Sequence, residues 1–322
     1  MNNITHSQRY LPHTLKTKFH AVKLYRAGNS ISYVCRRYKI SKASLLRWNS
    51  RFDGSRNSLR DKSHRPLSSH PNAHTHEELK WIHDYHRRNP HISLSELYGK
   101  LRANKGYSRH PGSLYRVFCR LGFSGKAPST KNKRKPQPYD TPKELGIKWQ
   151  MDVKYVPAAC YTGSIPQKFY QYTVIDEASR ERFIYPYMEQ SSHSTKDFIL
   201  RAINYFGYLP QIIQTDNGTE FTYLKDTDRM HPMDKLCDAL GITHKLIRPR
   251  TPWHNGKVER SHRNDQERFY NHLSFYSYGD LLLQMKRYLS RANSIPMQVL
   301  GWKAPLEKRH QLEQEAFDQT MS

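Results

Sequence analysis

Trp149-Gln150-Met151-Asp152-Val153-Lys154-Tyr155 is the stretch from which the fold can be read. Trp149, Met151, Val153 and Tyr155 alternate with Gln150, Asp152 and Lys154, the period of two that marks a half-buried strand with its polar members on the opposite face. Asp152 stands in the middle. Downstream, a loop around Tyr161 to Gln167 leads to a second strand, Phe169 to Ile175, and a third, Arg182 to Tyr187, with Asp176 to Arg180 as the turn. A helix is predicted from about Ser194 to Phe206, and Pro210 to Thr215 forms a fourth strand that delivers Asp216 at its end. A helix near Met233 to Leu240 is closed by Gly241, Thr243 to Ile247 is a fifth strand, and Asn255 to His272 reads as a helix carrying Glu259. Three strands, helix, strand, helix, strand, helix is the order of an α/β sheet, here with its acidic residues converging on one rim.

The front of the chain has a different rhythm. Leu15, Phe19 and Val22 share one face of a helix ending at Gly28, Ser30 can cap a second over Ile31, Val34, Cys35 and Tyr38, and Ser41 caps a third. In that third helix Leu45, Trp48 and Phe52 face inward, leaving Lys42, Ser44, Arg47 and Arg51 outside. Three short helices with a basic third make a helix-turn-helix, whose exposed helix can enter a major groove while its cations meet phosphates. A second such unit starts near His76, with Ser93 and Glu96 as a capping-box pattern and a last helix that exposes Arg109, Ser113, Arg116 and Arg120 before Gly122. Between this unit and the sheet lies a Pro-rich basic stretch with Lys131, Lys133, Arg134 and Lys135, suited to phosphate contact.

The expected organisation is therefore multidomain: all-α helix-turn-helix units first, then the α/β core. The boundaries are a DNA-binding domain at 1–56, a linker at 57–75, a second helix-turn-helix-like domain at 76–123, a basic linker at 124–142, the core at 143–275 and a C-terminal helical extension at 276–322. Charge follows the same division. Residues 1–142 hold 29 Lys and Arg against 7 Asp and Glu, whereas the remainder is nearly balanced at 24 against 21. A net charge of +25 exceeds what solubility requires and disfavours the folded state unless a polyanion is near; this favours nucleic acid, here double-stranded DNA given the helix-turn-helix units, with anionic membrane surfaces and acidic partners left open by charge alone. No apolar run of about 18 residues and no apolar N-terminal stretch is present, so the expectation is a cytoplasmic, nucleoid-associated protein with no membrane role. Cys35, Cys119, Cys160 and Cys237 form no C-x-x-C pair and read as core thiols.

Three clustered carboxylates cannot all stay ionised without a cation, and oxygen ligands suit Mg²⁺ or Mn²⁺. Two such ions about 4 Å apart activate an attacking oxygen and stabilise a leaving oxygen at phosphorus. Singly, each acid is weak evidence, since an Asp before Asn-Gly is most often a turn residue. Their contexts are Gln150-Met151-Asp152, Thr215-Asp216-Asn217-Gly218-Thr219-Glu220-Phe221 and His254-Asn255-Gly256-Lys257-Val258-Glu259-Arg260. Together these resemble the three acidic motifs of the integrase-core (DDE) transposases encoded by bacterial insertion sequences, relatives of retroviral integrases. The resemblance spans about residues 143 to 306, including Trp302-Lys303-Ala304-Pro305-Leu306-Glu307.

That resemblance implies a ribonuclease-H-like catalytic core with Asp152, Asp216 and Glu259 as the metal-binding acids. It also implies hydrolysis at a transposon end followed by attack of the freed 3′ hydroxyl on target DNA. Pairing two ends calls for a homodimer or larger complex. The chain departs from the family pattern at two places. Between Asp216 and Glu259 lie 42 residues, more than is usual, with the surplus assigned to Tyr223 to Pro232; and the position seven after Glu259, commonly Lys or Arg, is Gln266. Arg263, one turn beyond Glu259, is placed to take over that phosphate contact, with Lys257, Arg260 and Arg248 as further DNA contacts. Asp176 and Glu220 are read as turn or supporting residues, Asn217 and Asn255 as either substrate-orienting or turn-forming. Two other functions use the same residues: a metal-dependent nuclease that cuts without joining, and an inactive DNA-binding regulator.

Overall fold

A computed structural model describes residues 13–63, 66, 68, 70–123, 139–223, 229–248 and 251–321. The chain divides into two compact units, Met1–Ala73 and His74–Ser322.

In the first unit three short helices follow one another, α1 (Leu15–Arg26), α2 (Ile31–Tyr38) and α3 (Lys42–Arg51). Hydroxyl caps begin all three: Thr14, Ser30 and Ser41 each accept a backbone N–H from the first turn. Val22, Val34, Leu45, Trp48 and Phe52 are buried as the spacing predicts, Leu15, Phe19, Ile31, Cys35 and Tyr38 are only partly buried around them, and Ala21, Ile40 and Leu59 from a following 3₁₀ turn complete the core. Lys18 is buried beside these residues and pairs with Asp61 at 2.5 Å.

The second unit opens with α4 (His76–Arg88), α5 (Leu94–Lys105) and α6 (Pro111–Arg120), packed on Ile82, Leu97, Leu101, Leu114 and Val117. The reciprocal capping box forms at Thr75 and Glu78. At Ser93 only half of the expected box is made: Ser93 accepts the Glu96 N–H, but the Glu96 carboxylate is taken by Arg291, at 2.9 and 2.7 Å. Cys119 lies exposed on α6 and Cys35 is half-buried, so of the four thiols only Cys160 and Cys237 are core residues.

Five strands form one mixed sheet: β1 (Lys148–Tyr155), β2 (Tyr170–Asp176), β3 (Arg182–Tyr187), β4 (Ile212–Thr215) and β5 (Thr243–Leu246). Their order is β3-β2-β1-β4-β5, with β1 to β3 an antiparallel meander and β4 and β5 added parallel to β1. Helices α7 (Ser192–Phe206) and α8 (Pro232–Ala239) cross over between the later strands. The alternation in β1 sends Trp149 and Met151 to one face, where they pack with Tyr172, Val174, Phe198, Phe206, Ile213 and Phe221. The opposite face is covered by α9 (Gly256–Arg268) and α10 (Tyr278–Asn293), before α11 (Pro305–Met321). That cover explains why Gln150, on the polar side of a strand expected to be half-exposed, is buried. The mixed α/β sheet agrees with the fold expected of the core. Among the described residues no helix is long and apolar enough to cross a membrane.

Candidate active site

Asp152 projects from β1 toward α9, its side chain one-fifth exposed. One of its oxygens accepts the Val153 N–H at 2.8 Å, and the other faces His262 Nδ1 at 3.3 Å. The same imidazole reaches Thr173 on β2 through Nε2, at 3.0 Å. Asp216 follows β4 directly, and its carboxylate accepts the Gly218 N–H at 3.0 Å, the turn expected of an Asp before Asn-Gly. Glu259 stands in the first turn of α9 at the exposed rim.

The three acids lie within one another's field. Burial, then the charges of Asp152 and Glu220, raise the Asp216 carboxyl above its ordinary range against the opposing Gly218 hydrogen bond. Desolvation, then Asp152 and more weakly Asp216, raise Glu259, with His262 opposing. Like charges that hinder one another's ionisation are the electrostatic condition a divalent cation relieves, and an all-oxygen donor set fits Mg²⁺ or Mn²⁺. Among the described residues, no three His, Cys, Asp or Glu side chains are gathered closely enough to hold an ion as they stand.

The neighbouring acids have other work. Asp176 is buried in the β2–β3 turn, where it accepts from the N–H groups of Gly146, Ala178 and Ser179 and from the Ser179 hydroxyl. Glu220 is buried and receives Gln190 Nε2 at 2.5 Å. Asn217 donates to the Ile247 carbonyl at 3.2 Å, and Asn255, buried, donates to the Met151 carbonyl at 3.1 Å with its own oxygen unpartnered.

Several expected DNA-facing cations lie elsewhere than foreseen. Arg109 is half-buried and binds both oxygens of Glu78, at 2.7 and 2.8 Å, closing the start of α4. Arg51 turns back onto the carbonyls of Ser58 and Arg60. Lys257 is drawn inward onto Glu177, over the Tyr139 ring, and burial followed by the opposing Glu177 contact leaves its ammonium pushed down to about 8. Ser44 is half-buried and shares a hydrogen bond with the capping hydroxyl of Ser41. Lys42, Arg47, Arg116, Arg120, Arg248, Arg260 and Arg263 are exposed. Lys131, Lys133, Arg134 and Lys135 lie outside the described residues, as does much of the stretch that holds the surplus length.

One cation escaped the sequence reading. Lys154, two residues past Asp152 on the same face of β1, donates to Gln266 Oε1 at 3.0 Å and to the His262 carbonyl at 3.2 Å. A positive charge thus stands where α9 itself carries an amide. The signal was the alternation that places Lys154 beside Asp152.

An α/β sheet whose central strand, neighbouring strand end and covering helix bring three acids into one field defines an integrase-type core. Two family models, each described as an integrase core domain, match residues 142–252 and 240–305. The chain belongs to the integrase-core, DDE-transposase-like proteins. It is similar to a putative integrase, ORF3, of Spiroplasma virus SpV1-C74, 35% identical over 38% of this chain and 35% of that one. It is also similar to a retrovirus-related Pol polyprotein from the Arabidopsis thaliana transposon RE2, 31% identical over 43% of this chain and 9% of that one. The chain therefore spans about a third of the first relative's length and less than a tenth of the second's. The HTLV-2 integrase catalytic core domain, solved as a trimer in complex with magnesium, overlays with a TM-score of 0.39 at 19% identity, over 52% of this chain and 98% of that one.

Proposed function

We propose that the protein is a DNA transposase that binds the ends of its element, cleaves there and joins the freed 3′ hydroxyl to target DNA. The observation that carries this reading is the geometry that sets Asp152 on β1, Asp216 just past the parallel neighbour β4 and Glu259 on the helix packed over β1, with the charge of Asp152 acting on both other acids. Bound to these carboxylates, a pair of Mg²⁺ or Mn²⁺ ions would supply a more acidic attacking oxygen and charge stabilisation at the leaving oxygen. His262 orients Asp152, while Lys154 and Arg263 line the same flank of α9 with positive charge that suits a phosphate backbone.

The two helical trios are read as helix-turn-helix modules, with α3 and α6 presenting Arg47 and Arg116 to DNA. Binding in tandem lengthens the site read and raises the effective concentration of the second contact. Arg47→Ala or Arg116→Ala is expected to weaken DNA binding and reduce the salt dependence by about one counterion each. Titration of labelled end DNA at several salt concentrations reads this, and an unchanged slope removes that arginine from the interface. Pairing of two ends makes a dimer or larger complex the working form.

The deciding experiment incubates the purified protein with Mg²⁺, labelled DNA from the flanks of its reading frame and a plasmid target. Labelled plasmid is the expected product. Cleavage without joining favours the nuclease, and binding without either favours the inactive regulator.

A further inference from the structure

Beside two of the acids stand two buried amides, and both reach toward the helix that carries the third acid. Gln150 and Gln214 are register partners on the parallel neighbours β1 and β4, and each lies two residues before an acid, Asp152 and Asp216. They are 1% and 2% exposed. Their side-chain N–H groups converge on one carbonyl, that of His254, at 3.0 and 2.8 Å.

Gln150 does more. Its Oε1 accepts the backbone N–H groups of Lys257 and Val258, at 3.0 and 3.2 Å. These belong to the first turn of α9, where N–H groups have no partner within the helix. The residue in the capping position, Asn255, makes no side-chain capping bond and is tied instead to the Met151 carbonyl. Gln150 is thus a helix cap supplied from a strand. Its amide cannot be reversed without loss, because the oxygen meets two donors while the nitrogen meets two acceptors, the His254 carbonyl and Glu177 Oε1, the latter at 2.8 Å.

Glu259 follows Val258 directly, and among the described residues no hydrogen bond contributes to holding its carboxyl group. Its position relative to Asp152 and Asp216 is therefore set by where the backbone of the first turn sits. We propose that Gln150, assisted by Gln214, is the positioning residue that fixes this turn on the sheet and so brings Glu259 to the other two acids. The proposal rests on the transposase reading for its effect on turnover, but not for its effect on the helix.

Gln150→Leu preserves most of the volume and removes both the acceptor and the donor. Hydrogen–deuterium exchange at the Lys257 and Val258 amides is expected to quicken by about tenfold or more, since a buried N–H then loses its partner. In strand transfer with Mg²⁺, kcat is expected to fall about 100-fold for a misplaced group, with KM for end DNA within about threefold. Gln214→Leu, which leaves the capping bonds in place, should have the smaller effect on both readouts.

Exchange at the two amides equal to wild type overturns the cap, and unchanged kcat alongside quickened exchange overturns the positioning role. Should Gln150→Leu also lose protection in β2, the paired exchange Gln150→Glu with Glu177→Gln tests the same point. It keeps an acceptor at 150 and the net charge of the pair while giving up the donation to the His254 carbonyl, and is expected to hold exchange at Lys257 and Val258 well below that of Gln150→Leu; exchange as fast as in Gln150→Leu overturns the cap. Wild-type protein that neither cuts nor joins DNA overturns the enzyme reading alone, and exchange then decides the cap.

Discussion

Asp152→Asn, Asp216→Asn and Glu259→Gln are each expected to abolish cleavage and joining, a loss on the order of 10³-fold or more, while DNA binding stays nearly intact. Each change removes one anionic oxygen from the proposed metal-binding set without changing shape. Stability should hold or rise slightly. Asp216 and Glu259 both carry carboxyl groups raised by burial and by neighbouring negative charge, and neutralising Asp152 removes a charge that acts on both. Activity assays, end-DNA binding and thermal unfolding on the same samples separate the outcomes. Variants that lose binding and folding together would mean that the acids are structural, and the catalytic reading would fall.

Asp265→Ala is expected to cost the core about 3–5 kcal/mol, measured by denaturant unfolding, because it leaves a buried guanidinium without its partner. Asp265 lies on α9 six residues beyond Glu259 and is fully buried. It meets Arg182 of β3 at 2.6 Å, Gln171 of β2 at 2.8 Å and the Tyr288 hydroxyl of α10 at 2.8 Å. Burial pushes its carboxyl up, but Arg182 and these hydrogen bonds override it and hold the group below the ordinary carboxyl range. With a depressed folded value the contribution is complete above about pH 4, the value of a free Asp, and is lost as pH falls through the folded value. The acid limb of the stability curve should therefore flatten in the variant. A paired change, Asp265→Leu with Arg182→Met, should cost less than Asp265→Ala alone, since no charge is then left buried. Equal losses would mean that packing, and not charge pairing, accounts for the effect.

Much of the core was legible because each strand advertises itself locally. The alternation in β1, the β-branched and aromatic run of β2 and the glycines after α7 and α8 require nothing distant to be recognised. The predicted single helix from Asn255 to His272 shows the limit of such reasoning. It ends at Arg268, and a 3₁₀ turn follows, because the consecutive Phe269 and Tyr270 both turn into the core, with Phe269 stacked on Tyr288. The three acids could be named from their motifs, but the side chains around them could not be ranked. Gln150 reads as an ordinary polar member of a strand until α9 covers it, and Lys154 finds Gln266 across 112 residues. Exposed and engaged arginines look alike in a basic helix: Arg116 faces outward, whereas Arg109 closes on Glu78 and Arg51 on the loop after its own helix.

The parallel addition of β4 to β1 also orders events in time. During synthesis the β1–β3 meander can pair as soon as it emerges, but the second acid arrives 64 residues after the first, and the third only when residue 259 has left the ribosome. Long-range pairings form late, since the intervening chain must first be gathered. A chain released early, before α9, carries the first two acids without the third, and so a truncated product lacks one member of the acidic set.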